Sequence, residues 1–322
     1  MKDAGPLSAS ARARERPEPR FGGVVTAGLG AALLFATALL LPWLFFVAIV
    51  SPLPLMVHRL RGGLGSALMA VVLAAALVAG VFSPGLSGAF LLCLIGPGLL
   101  VAEGLARGRG LLRGCGWAFA LLSVEIAAAL VFVTTAMEAR VLEPLSLYAG
   151  APFLEELRSS GLPAEQVTAW AEQIAALQTV LKVVYPAFYI IVGALVVLTH
   201  AVLLRVYLAR SDPGWLEGGE FEEIRWPLVL PVAFVGGGAA VALPALRPAG
   251  YNLLLVLAFF FLLQGLAVVA FYAQRLAGPP LLRGAVVVLV LVNPWAPYIL
   301  AFLGLFDTWI DFRKWARPPA EE

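Results

Sequence analysis

Apolar residues run along this chain in blocks too long and too free of charge to be the one-sided stripes of a soluble fold. From Gly22 to Val57 there is no acidic or basic residue, and as one straight helix that block would measure about 54 Å against a bilayer core of about 30 Å. Pro42 lacks an amide hydrogen and clashes with the preceding turn. The pattern therefore predicts an outward helix from Gly22 to Leu41 and a return from Trp43 to Val57, with His58, Arg59 and Arg61 just beyond it. A third helix is expected from Leu64 to Phe82, a turn at Ser83, Pro84 and Gly85, and a fourth helix from Gly88 to Ala106. The basic run Arg107, Arg109 and Arg113 follows. A fifth helix spans Gly116–Thr135, and a sixth, Lys182–Leu208, ends at Arg205 and Arg210.

The longest connection, 136–179, lies between the fifth and sixth helices. Its second half opens on Pro163 and Glu165 and repeats apolar residues at Val167, Trp170, Ile174, Leu177 and Leu181, which is helical spacing with one greasy face. It is read as an interfacial helix. Residues 211–226 form an acidic loop carrying Asp212, Glu217, Glu220, Glu222 and Glu223. Three more apolar segments follow within 227–306: Pro227–Leu246, Tyr251–Ala273 and Gly284–Phe306. Basic residues between apolar blocks mark the cytoplasmic side, so the N-terminus is placed inside. Nine full spans would leave Arg313, Lys314 and Arg317 outside, against that rule. Eight spans and one broken element, interrupted at Asn293–Pro297, fit the charges better.

Composition agrees with lipid as the solvent. The chain is 61% hydrophobic and 13% charged, against about 25% charged in an ordinary soluble domain. Its net charge of +2 points away from nucleic acid. Cys93 and Cys115 lack metal-ligand spacing, and His58 and His200 are the only histidines, so neither a metal nor another cofactor is expected. Residues 1–21 are polar and proline-containing, and read as a disordered cytoplasmic tail; 307–322 form a second tail.

Candidate chemistry lies in polar residues inside the apolar blocks. Glu125 stands between Val124 and Ile126, deep in the fifth helix. A carboxylate there requires a partner or a wet cavity. His200, Gln264 and Asn293 fall at related depths in the cytoplasmic half of the membrane, so these four residues are expected to line a ligand or proton-relay site; interhelical hydrogen bonding is their structural alternative. There is no Gly-x-Ser-x-Gly, no His-Glu-x-x-His and no Asp-rich transferase motif, which leaves an enzyme unsupported.

Three features together resemble a family: the small-residue first helix from Ala27 to Ala38, the run Ser51, Pro52, Leu53, Pro54 followed by Arg59, Arg61, Gly62 and Gly63, and the closing stretch from Gly304 to Arg313. They are similar to the bacterial membrane proteins of the YybS-like, or DUF2232, family, over roughly Gly22 to Lys314. The resemblance implies that residues 22–210 form a six-helix bundle like the S components of energy-coupling-factor vitamin transporters. It further implies that Ala27 with Ala31, and Ala32 with Ala36, form an Ala-x-x-x-Ala face docking a coupling-type protein partner.

The expectation is an all-α, polytopic transmembrane bundle of about eight or nine membrane segments in a bacterial cytoplasmic membrane. It would contact the lipid bilayer and bind or move a small solute. The alternative is a non-transporting scaffold that recruits partners through the acidic loop and the tail from Asp307.

Overall fold

A computed structural model describes residues 21–132, 150–216, 221–275 and 292–316. Among them every regular element is helical. Two compact units emerge: one takes Met1–Ala127 and Val192–Gly219, the other Ala128–Ile191 and Glu220–Glu322.

The first unit opens with α1, Phe21–Leu40, and Leu41 ends it one residue before Pro42, where the sequence predicts the break. The expected return helix is itself broken: a 3₁₀ turn at Pro42–Leu44 and a single α-turn at Val47–Val50 precede α2, Leu53–Val81. Gly63 interrupts α2 with φ 85° and ψ 176°, a conformation essentially confined to glycine. The stretch after Gly63 corresponds to the predicted third helix. Ser83 then caps the next helix by accepting a 3.2 Å hydrogen bond from the Leu86 amide. That helix, α3, runs Pro84–Ala106, and α4 follows at Leu111–Phe132.

The face of α1 that carries Val24, Ala27, Ala31, Ala32 and Phe35 packs into a core with Ala70, Ala74 and Val78 of α2 and Phe90 of α3. Ala27, Ala31 and Ala32 are buried there and Ala36 is half-buried. The small-residue face is thus occupied by the chain's own packing, because alanines let α2 approach closely.

In the second unit α5, Ala151–Ser159, precedes α6, Ala164–Ser211. The predicted amphipathic segment and the predicted sixth span are one helix of 48 residues, about 72 Å long, whose last part, from Val192, belongs to the first unit. Pro186 lies inside it. Next to that proline the rung between Ala187 and Val183 is opened and the Asn252 amide is inserted: the Ala187 amide donates to Asn252 Oδ1 at 2.8 Å, and Asn252 Nδ2 donates to the Val183 carbonyl at 2.7 Å. In hydrocarbon such backbone groups need a protein partner.

Three further α-helices of the second unit lie among the described residues: α7, Val229–Ala242; α8, Arg247–Arg275; and α9, Ala296–Ile310. The predicted break is present, with Asn293 Oδ1 accepting from the Trp295 amide at 2.9 Å just before α9. The rest of the expected ninth segment, 284–291, lies outside the described residues. Six of the described helices are long and apolar enough to cross a membrane, while α7 and α9 are shorter apolar helices. Large apolar side chains such as Leu33, Val72, Val131, Val232 and Phe302 are exposed, as expected of surfaces wetted by lipid.

Helices α8 and α9 meet backbone to backbone. A Cβ on Gly265 would come within 1.9 Å of the Leu300 carbonyl oxygen, and one on Gly304 within 1.9 Å of the Phe261 carbonyl oxygen. Gly304→Ala or Gly265→Ala is therefore expected to force the helices apart and to cost about 1–3 kcal/mol. Gly236→Ala, which meets nothing within 4 Å, should be neutral or mildly stabilising. Unfolding titrations in denaturing detergent measure both; equal effects at the three positions would contradict the close approach.

Candidate functional site

Polar groups in the first unit are built on a proline. Pro97 removes a helical amide and its ring conflicts with the carbonyl of Cys93, four residues back. The helix relaxes into a π-stretch at Leu91–Ile95, with the Gly96 amide bonding the Leu91 carbonyl. Such insertions are frequent at functional sites. Cys93 sits in that stretch, within electrostatic reach of the Glu125 carboxylate on α4. Both carboxylate oxygens of Glu125 are buried and lack a hydrogen-bond partner among the described residues. Sequence reading singled out Glu125 but not the π-stretch; Pro97 in an otherwise helical run was the available signal.

His200, on α6, is fully buried. The Ile49 backbone comes near the imidazole, yet neither ring nitrogen has a partner of hydrogen-bond geometry among the described residues. Helices α4 and α6 pack directly in this unit, since a Cβ at Gly193 would lie 3.3 Å from Ile126 Cδ1 and 3.6 Å from Leu122 Cδ1. From that level His200 lies seven residues on, about 10 Å along the axis. The unit thus holds two ionisable side chains on adjacent helices, a half-buried glutamate whose carboxylate oxygens are inaccessible and a fully buried histidine. A carboxyl and an imidazole without internal partners can accept or donate protons, or bind a cationic or hydrogen-bonding solute.

The other two sequence candidates lie in the second unit, in unlike surroundings. Asn293 is exposed and accepts from the Trp295 amide in the turn that precedes α9. Gln264 is fully buried and saturated: its Oε1 accepts from the Trp226 amide at 3.0 Å and its Nε2 donates to Asp307 Oδ2 at 2.9 Å.

Asp307 is the hub of this second constellation. Its Oδ1 accepts from the Phe312 amide at 3.0 Å, and its Oδ2 pairs with Arg313 Nη2 at 2.7 Å, both side chains being wholly inaccessible. Arg313 also donates to the backbone carbonyls of Glu222 and Ile224. Beside this cluster, Arg225 grips Asp311 through two bonds of 2.8 and 2.6 Å. Residues 221–226, α8, α9 and the 3₁₀ turn Phe312–Ala316 are thereby tied together. Sequence reading saw Asp307 and Arg313 only as parts of a closing motif. Their spacing puts Arg313 beyond the end of α9, and only the αL residue Asp311, φ 48°, folds the chain back so that the two meet.

Removing one member of a buried ion pair strands the other. Asp307→Asn or Arg313→Gln is expected to cost about 3–5 kcal/mol, whereas Asp307→Leu combined with Arg313→Met should be more stable than either single variant. Detergent-unfolding midpoints decide this; losses that simply add in the double variant would contradict a coupled pair.

No curated protein and no solved structure matches this chain. The model of the family described as "Predicted membrane protein (DUF2232)" matches residues 30–308, most of the chain, with Glu125, His200, Gln264 and Asp307 inside the match and Asp311 and Arg313 beyond it. This all-helical membrane chain belongs to that DUF2232 family.

Proposed function

We propose that the protein is a multi-pass component of the bacterial cytoplasmic membrane, with its N-terminus inside, that binds or moves a small solute through its first unit. Glu125 is the residue that meets the solute or its proton, and His200 is the second contact. The observation that carries this reading is the Glu125 carboxyl, buried on an apolar helix with no partner for either oxygen among the described residues. Such a group costs at least about 2.5 kcal/mol to insert, and it survives selection for stability more readily when it does work. The acceptor chemistry favours a cationic or hydrogen-bond-donating solute.

The topology proposed with it is about eight or nine membrane elements, the six long helices being joined by the short α7 and α9 as half-spanning elements. The resemblance, drawn from the sequence, of the first six helices to solute-binding S components is in line with this reading. The arginines at one end of the first unit support an inside placement of that end: Arg61 stacks on Tyr207 at 5.6 Å, and Arg59 and Arg107 share Glu103.

A second reading, a non-transporting scaffold, is favoured by the Asp307–Arg313 cluster. It holds residues 221–226 and the Phe312–Ala316 turn in a fixed arrangement in which Trp315 is 66% exposed.

A thermal-shift screen of cationic and neutral small solutes against the purified protein separates the two. The expected result is a stabilising solute whose effect is lost in Glu125→Gln and weakened in His200→Ala. A hit that persists unchanged in Glu125→Gln, or no hit with unaltered stability of that variant, would overturn the solute site.

A further inference from the structure

The end of α3 carries a polar arrangement that solute binding at Glu125 does not use. Glu103 sits in the last turn of the helix and bridges two arginines: Arg59 Nε donates to its Oε2 at 2.6 Å, and Arg107 Nε donates to its Oε1 at 2.6 Å. Both guanidinium groups engage the carboxylate through Nε alone, which leaves their terminal nitrogens for another acceptor. Arg59 Nη1 is buried without a partner among the described residues, on a side chain only 8% exposed. A buried donor of this kind demands an acceptor. Arg107, by contrast, is 57% exposed and open to the surroundings.

The amides of Arg107, Gly108 and Arg109 supply no rival anion cradle. Gly108, with φ 66°, ends α3 in a Schellman motif: its amide bonds the Leu105 carbonyl and the Arg109 amide bonds the Gly104 carbonyl. The Arg107 amide is likewise committed to the Glu103 carbonyl. An anion at the end of α3 is therefore held by side chains rather than by the amides of residues 107–109. Arginines outnumber acids here: Arg61, Arg109 and Arg113 are exposed, against Asp212 of the same unit, whose carboxylate accepts from the Trp215 indole at 3.0 Å. Two guanidinium groups fixed by one carboxylate retain a net positive charge, and their fork geometry matches a phosphate.

The level of the arrangement selects the occupant. It lies where the apolar span Pro84–Ala106 ends, the depth at which a membrane presents its headgroups. We infer that Arg59 and Arg107, organised by Glu103, form a binding site for the phosphate of an anionic phospholipid. The inference stands apart from the solute site at Glu125.

The test uses the full-length protein in nanodiscs of mixed phosphatidylcholine and phosphatidylglycerol, with native mass spectrometry counting the lipids that remain bound. Wild type is expected to retain phosphatidylglycerol preferentially. Arg107→Gln, at an exposed position that folding tolerates, should lose about fivefold of that preference, the equivalent of one surface-level arginine. Arg59→Lys, which keeps the charge but removes the forked donors, should lose preference as well. Arg158→Gln, on an exposed pair with Glu155 in the other unit, should match wild type. Equal retention of the two lipids by wild type, or full preference in both Arg107→Gln and Arg59→Lys, would overturn the site. Displacement of the lipid by millimolar inorganic phosphate would assign it to a soluble anion instead and overturn the lipid.

Discussion

Hydrocarbon offers a polar group nothing to bond with, and that single constraint orders the whole structure. Each polar atom carried into these apolar helices must be answered by another part of the chain or by something the protein binds. The second unit answers nearly all of its own. Asn252 fills the rung opened beside Pro186, Gln264 is bonded at both ends of its amide, and Asp307 neutralises Arg313 in a fully enclosed pair. The first unit pairs Arg59 and Arg107 with Glu103 but leaves Arg59 Nη1, His58 Nε2, Glu125 and His200 without partners among the described residues. Glu125 and His200 lack a partner on every side-chain polar atom among the described residues, whereas Glu222 and Arg313 of the second unit leave only Oε2 and Nε unanswered, and that difference separates site from framework.

Saturation depends on close packing. Gln264 reaches Asp307 because the neighbouring Gly265 and the preceding-turn Gly304 let α8 and α9 touch through their backbones. Side chains at those two positions would hold the helices apart and break the bond. On the first unit's side, alanines of α1 and α2 perform the same service, while bulky apolar residues point outward to lipid. Small residues inside and large ones outside reverse the usual soluble arrangement, since association in lipid is driven by contact and hydrogen bonding rather than by escape from water.

Much of this was legible in the residues. Charge-free blocks located α1, α3 and α8, and Asn293–Pro297 marked a break; Ser83–Gly85, expected as a turn before a helix from Gly88, is instead the capped start of α3 at Pro84. Glu125 stood out because one carboxylate among Val124 and Ile126 has no ordinary explanation. What escaped the reading was nonlocal or geometric. Spacing marked a helix over Val167–Leu181 and an apolar span from Lys182, but gave no sign that the two are one continuous helix, 164–211. Asn252 gained meaning only when paired with a proline 66 positions earlier in the chain. The Ala27–Ala36 face has the same spacing whether it meets a partner or α2, and only the fold distinguishes the two. Asp307 and Arg313 meet through the left-handed turn at Asp311, which spacing along a helix does not foresee.

The central claim is that the Glu125 carboxyl is open to something wet or polar from outside the chain. Infrared difference spectra between wild type and Glu125→Gln, recorded in nanodiscs in H₂O and D₂O across a pH series, interrogate that carboxyl directly. The account predicts a Glu125 carboxyl band that exchanges with D₂O and titrates reversibly. A band that neither exchanges nor responds to pH would mean a dry, closed packing position and would contradict it.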